Sequence, residues 1–315
     1  MNKIKDIVNK CLSQNPCEID IRFNETMKNH TTFKVGGEAD CWIKPSGDGF
    51  PDFCTGLLNE TKKEGIPVFV LGGGANIVVS DKGIRGIVLD TKKWNGQIVN
   101  ENEFVLRAGT TMDEACQITA ASELSGLEFL SGMPGTIGGA VWMNARCYDN
   151  EMSDVLKRVE IIEKDLIKNN YTIKKIEIEE KHGFGYKLSP FQNMDCLILS
   201  TAFNLRKGNK QDIINKINKN KQDRIDKGHY LFPSAGSAFK NNREFGKPTG
   251  LIIDELGLKG FKIGDAQIAP FHGNIIINTG NATAANIRAL TDEVANKVKK
   301  ATGFELEPEI LFVGQ

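Results

Sequence analysis

The chain has 315 residues, 40% hydrophobic and 25% charged, and its 40 basic and 40 acidic side chains give a formal net charge of zero. That is the composition of an ordinary globular protein long enough for two domains. It offers no basic excess for nucleic acid or an anionic membrane, and no apolar run reaches the length of a membrane span.

The opening MNKIKDIVNKCLSQNPCEID mixes Lys and Asp into its apolar residues and so lacks a signal-peptide core; a cytoplasmic location is expected. Seven cysteines without CxxC spacing are expected to be reduced, packed thiols, neither a disulfide frame nor a zinc site. His30, His182, His229 and His272 are scattered singly and suit local hydrogen bonding better than metal binding.

In chain order, Ile4, Ile7, Val8 and Leu12 place one apolar face on a helix across the first twenty residues. The segment NHTTFKVGGEAD leads through Gly36 and Gly37 into a strand ending at Pro45. Residues 50–64 read as a helix with Phe53, Leu57 and Leu58 inward and Gly65 as its cap. Residues 67–71 form a buried strand that runs into Gly72, Gly73 and Gly74.

A Rossmann site requires GxGxxG and then a helix. Here Ile77 stands where the third glycine belongs, and the β-branched IVVSDKGIRGIVLD follows, so strand, loop and strand alternate. A strand at 104–108 and a helix at 112–124 lead to LEFLSGMPGTIGGAVWMNARCY, with Gly132, Gly135, Gly138 and Gly139 within eight residues. Bare backbone N–H groups in such turns make concave nests for phosphate oxygens. One such loop serves equally well as a packed corner; two suggest a ligand with more than one phosphate. Strands are expected at 155–162, 172–178 and 197–205, with KHGFGYKLSPFQ between the last two. A charged helix over 209–228 carries Ile213, Ile214, Ile217 and Ile225 along one side. Beyond it come PSAGSAFKNN, a helix through LIIDELGLKG, a strand at 274–278, an amphipathic helix at 283–300 and the terminal FELEPEILFVG.

NHTTFKVGGEAD, VLGGGANIVVSD, GLEFLSGMPGTIGGAVWMNA, GYKLSPFQ, PSAGSAFKNN and LEPEILFVG, in this order, resemble the UDP-N-acetylenolpyruvoylglucosamine reductase family, flavoenzymes of peptidoglycan precursor synthesis. The first four recur loosely among flavoproteins of the vanillyl-alcohol-oxidase type, whereas PSAGSAFKNN with LEPE is much more specific. The resemblance implies an α+β protein in three parts. An N-terminal helical segment covers 1–29. A two-lobed FAD-binding region of the vanillyl-alcohol-oxidase/p-cresol methylhydroxylase type covers 30–205, its lobes at about 30–90 and 91–205. A C-terminal α+β substrate-binding domain covers 206–315.

It further implies noncovalent FAD, NADPH as hydride source, UDP-N-acetylglucosamine enolpyruvate as substrate, and a monomer or weak homo-oligomer. NADPH and the sugar nucleotide would share one pocket in turn, because the chain shows no separate Rossmann site.

The chemistry this implies needs donors or cations for the charge that develops on the substrate carboxylate, and then a proton for the neighbouring carbon. By resemblance Ser237 is the proton donor, Glu309 the catalytic glutamate (with Glu307 on the same side of the strand) and Tyr186 the active-site tyrosine. Lys187 stands where the family carries arginine, a departure because lysine cannot fork onto a carboxylate. Arg146 is a second departure and the candidate to cover part of that function. Gly72, Gly73, Gly74, Ala75, Asn76, Gly132, Pro134, Gly135, Thr136, Gly138, Gly139 and Asn144 are the expected FAD contacts. Lys240, Asn241, Arg224 and Arg146 are the expected substrate contacts, and no metal is expected.

A flavoprotein of the same fold acting on a small alcohol or hydroxy acid is the alternative reading, and a catalytically silent nucleotide-binding protein a third.

Overall fold

A computed structural model describes residues 2–99, 103–165, 167–179 and 183–315. Lys181 and His182, at the start of KHGFGYKLSPFQ, lie outside the described residues. The chain divides into two compact units, and neither is a single stretch: the first comprises residues 1–23, 41–73 and 86–222, the second 24–40, 74–85 and 223–315. This partition into compact units cuts across the expected linear boundaries 1–29, 30–205 and 206–315. The strand Ile77–Val79 pairs in parallel with Leu311–Val313, so residues 74–85 belong with the C-terminal part of the chain.

The first unit is organised on two sheets. One runs in the order Glu18–Thr26, Glu38–Ser46, Ile84–Asp90, Val68–Leu71, the last two in parallel. Val68–Leu71 is its edge, which is why Val70 is 38% exposed where a buried strand was expected. The other sheet is antiparallel, in the order Asn170–Glu177, Leu156–Asp165, Cys196–Phe203, Phe104–Arg107, Gln97–Ile98.

Alternation along Cys196–Phe203 divides its side chains between two cores, as strand geometry requires. Leu197 and Leu199 join Phe50, Phe53, Leu57, Ile87 and the helix Asn2–Gln14, while Ile198 joins Ala115, Leu130, Ile137 and Val141. The first helix ends at Gln14, short of the twenty residues expected, because EIDIRFNET alternates and forms the strand Glu18–Thr26 instead. Ile225, expected on the inner side of the helix Lys210–Asp226, is 48% exposed. It lies twelve residues after buried Ile213, about 120° around the axis at 3.6 residues per turn.

In the second unit the antiparallel sheet Ser234–Ser237, Ile275–Asn278, Ala266–Ile268, Lys262–Ile263 packs with the helix Ala284–Thr302. Thr283 starts that helix with a capping box closed by Asn286, and Gly303 (φ +79°) ends it. Ile287, Leu290, Val294 and Val298 are buried in its core with Phe239, Ile253 and Ile276.

None of the seven cysteines is in a disulfide. Among the described residues no helix is long and apolar enough to cross a membrane, and no group of three or more His, Cys, Asp and Glu is placed to hold a metal ion.

Candidate active site

The two glycine loops meet within the first unit. A Cβ built on Gly73 falls 2.5 Å from the Gly135 Cα, and one on Gly72 falls 2.6 Å from the Thr136 hydroxyl. Any side chain at 72 or 73 would therefore close the gap between loops. Gly135 has a φ of +133°, a conformation that only glycine adopts without strain. Among the described residues, the backbone N–H groups of Gly72, Gly73, Gly135, Thr136 and Gly139 have no hydrogen-bond partner. The Thr136 Oγ1, on a residue 1% exposed, is likewise buried without one. A buried hydroxyl left unbonded costs about 1–3 kcal/mol. A run of N–H donors and an orphaned hydroxyl in a narrow cradle free of side chains fits the diphosphate of a dinucleotide cofactor.

The remaining expected FAD contacts divide by their partners. The Gly132 N–H donates to the Asp113 carboxylate (2.7 Å) and the Gly138 N–H to the Ala108 carbonyl (2.8 Å), so both amides hold the loop itself. Pro134 is exposed between them. Gly74, Ala75 and Asn76 belong to the second unit. There the Asn76 amide donates to the Glu309 carbonyl (3.0 Å), and the Leu311 N–H to the Asn76 carbonyl (2.9 Å). Asn76 thus anchors the segment that carries Glu309, just before the strand Leu311–Val313.

Asn144, among the expected cofactor contacts, is engaged within the protein. It is fully buried, its Nδ2 donates to the Gly185 carbonyl (2.8 Å), and its Oδ1 accepts from the Ser153 N–H (3.0 Å). Both ends of the amide are engaged with the protein, which makes it an internal staple.

That staple holds the turn with Tyr186 and Lys187. Gly185 and Leu188 exchange two backbone hydrogen bonds (3.0 and 3.1 Å), so Tyr186 and Lys187 are the two residues of a tight loop, with Lys187 left-handed at φ +57°. The Gln192 amide donates to the carbonyls of Lys187 (3.0 Å) and Trp142 (2.9 Å), and the Ser189 hydroxyl to that of Trp142 (2.7 Å). Tyr186 is 38% exposed, and the Arg146 guanidinium stands over its ring at 5.9 Å. The structure therefore places the Arg146 guanidinium over the turn that carries Tyr186 and Lys187.

In the second unit PSAGSAFKNN contains the short strand Ser234–Ser237. Gly236 has φ +75°, and a Cβ there meets nothing within 4 Å, so the position needs glycine for its backbone and not for space. The next residues pair with LEPE: the Glu309 N–H donates to the Ala238 carbonyl (2.8 Å) and the Lys240 N–H to the Glu307 carbonyl (2.9 Å). Asn274 clamps the same segment. It accepts from the N–H groups of Ala238 and Phe239 and donates to the Phe239 carbonyl (2.8–2.9 Å).

Glu309 is 7% exposed, whereas the Glu307 side chain is 69% exposed and ion-paired to Lys240 at 2.5 Å. The two glutamates stand in different surroundings despite their spacing. The Asn241 Oδ1 accepts from the Thr249 N–H (2.9 Å) at the start of the helix Thr249–Glu255. Arg224 lies beside His229, whose N–H donates to its carbonyl (3.1 Å).

Comparison with known proteins matches both parts of the chain. A family model described as the C-terminal domain of UDP-N-acetylenolpyruvoylglucosamine reductase matches residues 226–313, and an FAD binding domain model matches residues 55–165. The UDP-N-acetylenolpyruvoylglucosamine reductase of Borrelia garinii subsp. bavariensis is 44% identical, over 91% of each chain. That of Treponema denticola is 42% identical, over 93% of this chain and 94% of the relative. The crystal structure of UDP-N-acetylenolpyruvylglucosamine reductase from Thermus caldophilus superposes with a TM-score of 0.74 at 30% identity, covering 94% of this chain and 99% of that one. The chain belongs to the UDP-N-acetylenolpyruvoylglucosamine reductase family.

Proposed function

We propose that the protein reduces UDP-N-acetylglucosamine enolpyruvate to UDP-N-acetylmuramate, an NADPH-dependent step of peptidoglycan precursor synthesis carried out in the cytoplasm. The observation that carries this reading is the backbone pairing of Ala238 and Lys240, just after Ser237, with Glu309 and Glu307, which brings the stretch bearing that hydroxyl beside the stretch bearing the buried Glu309. The alcohol-oxidising alternative has no use for that arrangement.

FAD, when bound, supplies reversible hydride carriage from NADPH to the terminal carbon of the enol ether. Gly72, Gly73, Gly135, Thr136 and Gly139 would hold its diphosphate through their unpartnered donors. Hydride addition leaves an enolate-like dianion on the substrate carboxylate, and a fixed positive charge lowers the barrier to forming it. Lys187, in its strained turn beside Tyr186, supplies such a charge. Ser237 then gives its proton to the neighbouring carbon, and Glu309 serves as the acid–base group of that transfer. Lys240, Asn241 and Arg224 bind the sugar nucleotide. The Glu307 side of its ion pair with Lys240 is mostly exposed, so exchanging Glu307 for a phosphate costs little.

Ser237→Ala tests the assignment. NADPH should still bleach its flavin, while re-oxidation by the enolpyruvyl sugar nucleotide slows by about 100-fold or more, the usual contribution of a positioned general acid. Unchanged re-oxidation would remove Ser237 from the mechanism.

A further inference from the structure

Eight non-glycine residues of the described chain have a left-handed backbone, and four of them belong to the first unit's Asn144 region: Asn144 itself after the helix Ile137–Trp142, Tyr148 and Asp149 on the turn that follows, and Lys187 on the turn that Asn144 grips. Each such residue costs of order 1–3 kcal/mol, and strain of this kind collects where function requires a fixed geometry. Tyr148 and Asp149 are the loop of a two-residue hairpin, Cys147 paired with Asn150 and Arg146 with Glu151. Positive φ at both loop residues makes this a type I′ turn, built here without glycine or asparagine. The Tyr148 hydroxyl donates to the Asn220 carbonyl (2.9 Å), and Asn144, two residues before Arg146, grips the turn that bears Tyr186 and Lys187.

This scaffold presents one guanidinium without a side-chain hydrogen bond among the described residues. The Arg146 side chain is 29% exposed, lies over the Tyr186 ring, and makes no hydrogen bond among the described residues. Its ion-pair partner Asp149 is fully exposed and 3.7 Å away, beyond hydrogen-bond reach and of little energetic weight. An arginine held over a ring without a side-chain hydrogen bond keeps its N–H donors for a ligand, and those donors match the two oxygens of a carboxylate.

We infer that Arg146 is a substrate-contacting catalytic residue that takes the substrate carboxylate in a two-pronged hydrogen bond and shares with Lys187 the charge that develops there. The inference rests on the reaction proposed above. Lys187 acts as a point charge and Arg146 fixes the carboxylate plane, so neither alone does the work of a single arginine.

The test is single-turnover re-oxidation of the NADPH-reduced holoenzyme by the enolpyruvyl sugar nucleotide, monitored by flavin absorbance, with FAD content measured for each variant. Arg146→Gln should slow re-oxidation per bound flavin by tenfold or more at saturating substrate, and added guanidinium ion should restore part of the rate. Arg146→Lys, which keeps the charge but not the fork, should fall between. Re-oxidation per flavin within twofold of wild type in Arg146→Gln overturns the inference. So does a variant that only loses FAD, since that places Arg146 on a cofactor phosphate. A slowed variant that guanidinium does not rescue and Arg146→Lys does not improve also overturns it, as a purely structural role would behave that way. Wild-type flavin that stays reduced with this substrate sinks the proposed reaction and the inference together.

Discussion

The Asn144 side chain donates to the Gly185 carbonyl at 2.8 Å across 41 residues of sequence, and so ties the hairpin of Arg146 to the turn of Tyr186 and Lys187. Asn144→Ala would leave the Gly185 carbonyl and the Ser153 N–H without their partner in a site of zero exposure. The expected loss is about 2–4 kcal/mol of unfolding free energy, measured by urea denaturation, with slower re-oxidation by substrate. A loss below about 0.5 kcal/mol would show that the amide is not a staple.

Thr136 makes the cofactor cradle testable with opposite signs. Thr136→Val removes a buried hydroxyl that has no partner in the protein. The apo-protein should be as stable or more stable by about 1 kcal/mol, while FAD affinity falls about tenfold. Equal FAD affinity in the variant would take Thr136 out of the cofactor site.

Lys187 holds a left-handed backbone at a cost that glycine avoids. Lys187→Gly should therefore keep or slightly raise stability, by up to about 1 kcal/mol, after the larger unfolded-state freedom of glycine is subtracted. Re-oxidation should drop steeply, and Lys187→Arg should retain it. A clear loss of stability in Lys187→Gly would mean that the side chain holds the fold and is not held for function.

Acid should loosen the Ser237 segment before it reaches the ordinary carboxylates. The rings of His229 and His272 lie 6.1 Å apart. Burial lowers the pKa of both, to about 4 for His229, where the Arg224 charge adds to the effect. The His272 Nδ1 accepts from the Asn274 N–H (3.1 Å), and Asn274 in turn clamps Ala238 and Phe239. Both folded pKa values lie below the unfolded one, so the unfolded chain binds more protons. This contribution to stability is complete above about pH 6.5 and is lost as pH falls towards 4. Denaturation midpoints should decline through that window in the wild type and less so in His272→Gln. Parallel curves would exclude the histidine pair.

Much of this was legible in the sequence wherever local chemistry decides it. The helix Ala284–Thr302 announces itself by Thr283 and by apolar residues at helical spacing, and both glycine loops are visible as composition. Ser237 and Glu309 could be picked out only through the family pattern, since a turn serine and a terminal glutamate are ordinarily unremarkable. EIDIRFNET carried a two-residue alternation that the charged residues between its apolar positions obscured.

The discontinuous units were not legible, because they depend on a parallel pairing between residues 77–79 and 311–313. Nor was the hairpin after Arg146, whose turn lacks the glycine or asparagine that marks its type. The internal bonds of Asn144 were not legible for a related reason: an asparagine beside a glycine loop looks the same in sequence whether its amide faces a ligand or a carbonyl 41 residues away.

The most direct test of the central claim is the visible spectrum of the purified protein, taken anaerobically before NADPH, after it, and after the enolpyruvyl sugar nucleotide. The account predicts a flavin spectrum that bleaches with NADPH and returns in full when the substrate is added. Flavin that bleaches and stays reduced, or a protein that cannot be loaded with FAD, would contradict it.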